Sequence, residues 1–172
     1  MAKFEIDVSG HDLFKEGYTV CIAEKDKEKD SIIRGFKFGG NLLKTLISNW
    51  ENNEYKYPFQ ENRRGLFKVR VYCIILFYLF KSLQIKEELS LTICRDFSGH
   101  ENDVTTNLKF FLKNKLKINL GKPLYKKLPP KSKAHWYAYL MFKDSENLLN
   151  TYVPITLEEI ELFLKRKEKL KK

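Results

Sequence analysis

The chain has 172 residues, enough for one domain with a substantial core and too few for two well-filled ones. Hydrophobic residues are 43% and aromatics 14%, which excludes a disordered chain even with 31% charged residues. The net charge of +10 makes a polyanion the first partner to consider, nucleic acid ahead of membrane. The same abundance of Glu, Lys and Ile, with glutamine only at Gln60 and Gln84, also fits a thermophile's charged surface.

The three cysteines, Cys21, Cys73 and Cys94, are widely spaced and form no CxxC or Cys/His cluster, so neither a disulfide framework nor a structural zinc is expected. The first ten residues have no apolar leader pattern. The longest uncharged apolar run, Val71 to Phe80, is about half of what a bilayer span needs. A cytoplasmic protein without membrane association is the expectation.

Phe4, Ile6 and Val8 alternate with Glu5 and Asp7, predicting a strand over Lys3–Ser9. Tyr18–Glu24 and Ser31–Phe38 read as two further strands, joined by a charged hairpin loop, and the three form a meander. Leu42, Leu43, Leu46 and Ile47 predict a short helix to about Trp50. Leu66–Leu83 is apolar on nearly every side, the pattern of a buried helix. Leu89–Asp96 alternates as a fourth strand, and Ser98-x-x-Glu101 reads as a capping box opening a helix through Leu116. After a Lys- and Pro-rich loop, His135–Phe142 is expected as a fifth strand. Thr156-x-x-Glu159 is a second capping box, flanked by an Ile155–Ile160 staple, for a last helix to about Lys171, whose end frays. The whole chain, 1–172, is expected to be one α/β domain: a mixed five-stranded sheet flanked by helices.

Three strands in a meander, then alternating helices and strands, with Asp7 in the first strand and Asp96 ending the fourth, resemble the RNase H-like (retroviral-integrase-like) superfamily. The resemblance implies that the first and fourth strands lie side by side at the sheet's centre. It also implies that their aspartates bind divalent cations, and that further acids come from helices, the last after the fifth strand. Asp144 takes that place here, and Asp103 is a further possible ligand. No glutamate lies on the central apolar helix, which departs from the ribonuclease H pattern.

The two aspartates sit in a repeated motif, Asp7-Val-Ser-Gly-His11-Asp12 and Asp96-Phe-Ser-Gly-His100-Glu101. Glycine permits a tight turn, and serine can cap it. Carboxylates held close repel unless a cation lies between them, and such hard oxygen donors suit Mg²⁺ or Mn²⁺. His11 and His100 are candidates to move protons or orient water, since imidazole titrates near neutral pH. The bland alternative is turn chemistry alone, with Asp103 serving only a helix N-terminus and His135 a packed residue beside Trp136.

Lys122, Lys126, Lys127, Lys131 and Lys133 surround Tyr125 and lead to Trp136, a pattern that suits a nucleic-acid backbone, DNA or RNA; Arg63 and Arg64 offer a second phosphate contact. The leading expectation is therefore a metal-dependent nuclease or related phosphodiester-processing enzyme. The alternative is a non-catalytic nucleic-acid-binding or assembly module on the same fold.

Overall fold

The alternation at the start of the chain produces β1 (Ala2–Ser9), whose Phe4 and Ile6 enter the core on one face while Glu5 and Asp7 point to the other. The computed structural model describes residues 1–166. β2 (Thr19–Glu24) pairs antiparallel with β1, and β3 (Ile33–Lys37) pairs antiparallel with β2, completing the meander. β4 (Leu89–Ile93) then returns parallel to β1, with Phe4 opposite Leu91 and Ile6 opposite Ile93. The sheet order is β3-β2-β1-β4-β5, so β1 occupies the centre and β4 adjoins it.

The fifth strand is not His135–Phe142. β5 is only Leu124–Tyr125, parallel to β4, inside the segment expected to be a loop. His135–Phe142 instead lies within an α-helix, α4 (Lys133–Lys143). Ser132 caps it by accepting from the His135 backbone N–H, and Ala134, Ala138 and Met141 recur at helical spacing on the buried side. That apolar stripe, with no β-branched residue in the segment, decides for helix over strand.

The other face is covered by α1 (Gly40–Glu51), α2 (Arg64–Lys81), α3 (Glu101–Leu108) and α5 (Leu157–Glu161). α2 is buried along thirteen of its eighteen residues, as its all-round apolar sequence requires, and forms the spine of the main core. A short 3₁₀ turn, Glu61–Arg63, precedes it. α3 continues into a π-helical stretch, Lys109–Lys115. Ser98 does not cap α3; His100 stands at its N-cap. The capping box at Thr156 and Glu159 is present, and Ile155 and Ile160 are both buried in the core. α5 ends at Glu161, well short of Lys171, and Lys165 forms a bridge with Tyr55 instead; residues 167–172, the rest of the expected helix and tail, lie outside the described residues.

Among the described residues, α4 is the helix on the second face, packed on β1, β2 and β3. Its fit to β3 depends on the absence of a side chain at Gly35, where a Cβ would stand 2.5 Å from the Met141 sulfur and 3.0 Å from the Val20 carbonyl oxygen. Among the described residues no helix is long and apolar enough to cross a membrane.

Candidate active site

β1 and β4 run parallel, so their C-terminal ends open at the same edge of the sheet. Asp7, near the end of β1, points toward the α4 face and is 4% exposed. A carboxylate so placed has to be matched by donors. Its Oδ1 accepts the Val8 backbone N–H at 2.8 Å, and its Oδ2 meets His135 Nδ1 at 2.8 Å. As the carboxylate only accepts, Nδ1 carries the hydrogen, and Nε2 is left for solvent or ligand. The His135 side chain is half exposed. Two residues earlier along the same strand, Glu5 accepts from the Ser132 hydroxyl at 2.6 Å. The two acids of β1 thus anchor the first turn of α4 with hydrogen bonds.

Asp96 lies three residues past the end of β4, in an exposed turn, yet its carboxylate turns inward to accept from the Tyr18 hydroxyl at 2.8 Å. Loss of hydration there raises its pKa; the Tyr18 hydrogen bond opposes the shift, and repulsion from Asp7 adds to it. Asp7 is thus near enough to act on Asp96, although burial is the larger cause of the shift. Cys94 lies two residues before Asp96, and its thiol is pushed up by burial, opposed by a Leu128 backbone hydrogen bond, and raised again by Asp7. Tyr72 of α2 forms the floor, packed 4.8 Å from the Phe97 ring and fully buried.

The repeated motif is partly a structural repeat. Gly10 and Gly99 both adopt positive φ, 120° and 85°, as their turns require. The aspartates are not equivalent, however: Asp7 is inside its strand, paired opposite Cys21, whereas Asp96 is beyond its own. The histidines also diverge. His11 is exposed, while His100 Nδ1 meets Asp103 Oδ2 at 2.9 Å, and its ring lies against Gly65 at the start of α2. Asp103 is thereby engaged with His100. Asp12 bonds Lys68 Nζ at 2.6 Å; burial pushes its carboxyl up, but Lys68 and the Phe14 N–H outweigh this and hold it low.

Asp144 does not join the site. It follows the last residue of α4, nine positions from His135, or about 13 Å along the helix. Its oxygens accept from the Leu148 and Leu149 backbone N–H groups and the Tyr152 hydroxyl, closing the loop after α4. The place after the fifth strand is taken by His135, which the strand assignment concealed. Its signal was available: Ser132 three residues before it, and the alanines at 134 and 138, mark a helix start with His135 in the first turn. Among the described residues, no group of three or more His, Cys, Asp or Glu side chains is arranged to hold a metal ion.

Of the basic residues, Lys122, Lys126, Lys127 and Lys131 are exposed. Lys126, Lys131 and Lys133 line a groove of about 710 Å³ together with Glu5, Glu24, Asp26, Glu28, Lys25 and Lys27, and Lys25 and Lys27 pair there with Glu5 and Glu24. Lys133 donates to the Lys27 carbonyl and the Ser31 hydroxyl and ties down the β2–β3 loop. Arg63 is exposed beside α2, and Arg64 lies 5.6 Å over the Phe14 ring, on the same side as Asp12 and Lys68. No family model, curated protein or solved structure matches the chain.

Proposed function

We propose that the chain is a divalent-cation-dependent enzyme that processes phosphodiesters of nucleic acid, of RNase H-like kinship. The observation that carries this reading is the placement of Asp7 and Asp96 at the same edge of two adjacent parallel central strands, where burial first and Asp7 second raise the Asp96 carboxyl. Two repelling carboxylates at a sheet edge favour a cation between them. Mg²⁺ and Mn²⁺ suit such a donor set, because Mg²⁺ commonly binds one or two carboxylates and completes its shell with water and substrate phosphate. The bound cation would supply Lewis acidity toward the phosphoryl oxygens.

The chain's own residues then divide the work. Asp7 and Asp96 hold the charge, and Tyr18 orients Asp96 by its hydrogen bond. Asp7 also fixes the imidazole of His135, which presents Nε2 to accept a proton from an attacking water. Asp7 is thus shared between cation and imidazole. The sheet order and the adjacency of the two acid-bearing strands support the kinship.

A second reading, a non-catalytic nucleic-acid-binding module, is favoured by the start of α2. Arg64 and Lys68 stand there beside Asp12, where the resemblance implies an acid. One experiment separates the two. Parent, Asp7→Asn and Asp96→Asn are assayed on single-stranded, duplex and hybrid substrates with Mg²⁺ or Mn²⁺, alongside thermal melts in the same buffers. The enzyme reading expects cation-dependent cleavage and cation-dependent stabilisation, both lost in each variant. A parent that cuts none of these substrates and gains no stability from either cation leaves the binding module standing.

A further inference from the structure

α4 has a second face. Ala134, Ala138 and Met141 bury one side, and His135 makes its bond to Asp7 at the flank. Opposite them, Trp136 and Tyr139 are 52% and 45% exposed, among the largest apolar groups the protein leaves in water. Their rings stack on each other, 5.9 Å apart and 25° from parallel. One turn on, the Lys143 ammonium lies 5.8 Å over the Tyr139 ring. The helix therefore displays an ordered ladder of two aromatic faces ending in a cation, and Tyr139 sits one turn after His135.

Such a ladder adds nothing to the core and leaves two large rings in solvent. Its chemistry matches an unpaired strand of nucleic acid: nucleobases stack on Trp and Tyr faces, and the phosphates between them meet Lys143 and the protein's net charge of +10. A duplex keeps its base faces inside the helix and cannot offer them to a flat ladder. We propose that Trp136 and Tyr139 form a base-stacking platform that binds single-stranded nucleic acid and feeds its backbone toward His135 and Asp7. The orientation toward that site rests on the proposed phosphodiester chemistry; the binding itself does not.

Fluorescence provides the test, because the other tryptophan, Trp50, is 2% exposed and packed 4.5 Å from Phe67, out of reach of a stacking base. In EDTA, oligothymidylate and oligouridylate of about 12 nucleotides, the order of a single-strand site, should quench emission saturably, and a duplex of equal length should not. Trp136→Phe should abolish the quenching. Trp136→Ala and Tyr139→Ala should each weaken binding of a labelled oligonucleotide about tenfold or more, with melting temperatures near the parent's because both side chains are exposed. Unchanged affinity in both alanine variants, or equal quenching by the duplex, overturns the platform. So does a parent dimer that Trp136→Ala turns into a monomer, since the rings would then cover a second copy. Single-strand quenching without any cation-dependent cleavage leaves the platform standing and removes the enzyme; cleavage of duplex without quenching does the reverse.

Discussion

Replacing Asp96 and Asp7 by Asn should move metal-free stability in opposite directions, although both changes remove a negative charge from the same site. At Asp96 the amide oxygen of Asn can still accept from Tyr18, so the hydrogen bond survives in neutral form. What disappears is the cost of taking a carboxylate out of water there and of holding it near Asp7. Because the turn is exposed, solvent screens that repulsion, and the gain is held to a few tenths and at most about 1 kcal/mol. At Asp7 the Val8 N–H can likewise be retained, but the charge-assisted bond to His135 cannot. Hydrogen bonds to charged groups contribute about 1.5–3 kcal/mol; the half-exposed imidazole argues for the low end, and relief of repulsion subtracts from it. Asp7→Asn should therefore lose about 1 kcal/mol. The sign of the pH dependence follows. The fold holds Asp96 above its ordinary value, so the native state keeps that proton longer than the unfolded chain, and the penalty grows as pH rises through the carboxylate range. The advantage of Asp96→Asn should open between about pH 3 and the upper end of that range, then level off. Urea denaturation in EDTA at several pH values measures all of this, and added Mn²⁺ should favour the parent over both variants. Equal destabilisation by both substitutions, flat with pH, would refute a shared electrostatic site.

Gly35→Ala should cost about 1–3 kcal/mol by driving a methyl into Met141 and the Val20 carbonyl, and in a double-mutant cycle Met141→Ala should recover part of that loss. Asp144→Ala should lower the melting temperature at neutral pH while leaving cation-dependent stabilisation intact. Backbone N–H bonds from Leu149 and Leu148 and the Tyr152 hydroxyl hold Asp144 low despite some desolvation, so its stabilisation should fade as pH falls through the carboxylate range. Replacing Lys126, Lys127 and Lys131 by Ser should flatten the salt dependence of single-strand binding by about 0.7 per lost phosphate contact; an unchanged slope would remove those lysines from the interface.

The strands were legible where apolar and polar residues alternate: Phe4, Ile6 and Val8 against Glu5 and Asp7, and Leu89, Leu91 and Ile93 against Ser90 and Thr92. The adjacency of β1 and β4 followed from the element order and the resemblance, since no single residue announces a parallel pairing. The segment His135–Phe142 failed because Trp, Tyr and Phe are frequent in strands, and their density outweighed the quieter Ala134–Ala138–Met141 stripe. That one error carried the site with it, placing Asp144 at a strand end and leaving His135 as packing. β5 escaped notice because two residues between lysines and prolines carry no periodicity. The pairing of His135 with Asp7 joins residues 128 positions apart and has no local signature.

The layer formed by α4 is secured differently from everything else in the molecule. On the other face, α2 shares a large continuous core with the sheet, α1, α3 and α5. Beneath α4 the buried apolar groups are two small patches, Cys21 with Ala138 and Met141, and Ala23 with Leu128 and Ala134, supplemented by two polar anchors on β1. Free energy of local opening scales with what must be uncovered. The amides of α4 should therefore exchange with solvent deuterium through a sub-global opening that leaves α2 protected. Each opening withdraws His135 from Asp7 and the Trp136–Tyr139 ladder from the sheet together, so imidazole and aromatic rings enter and leave service as one unit.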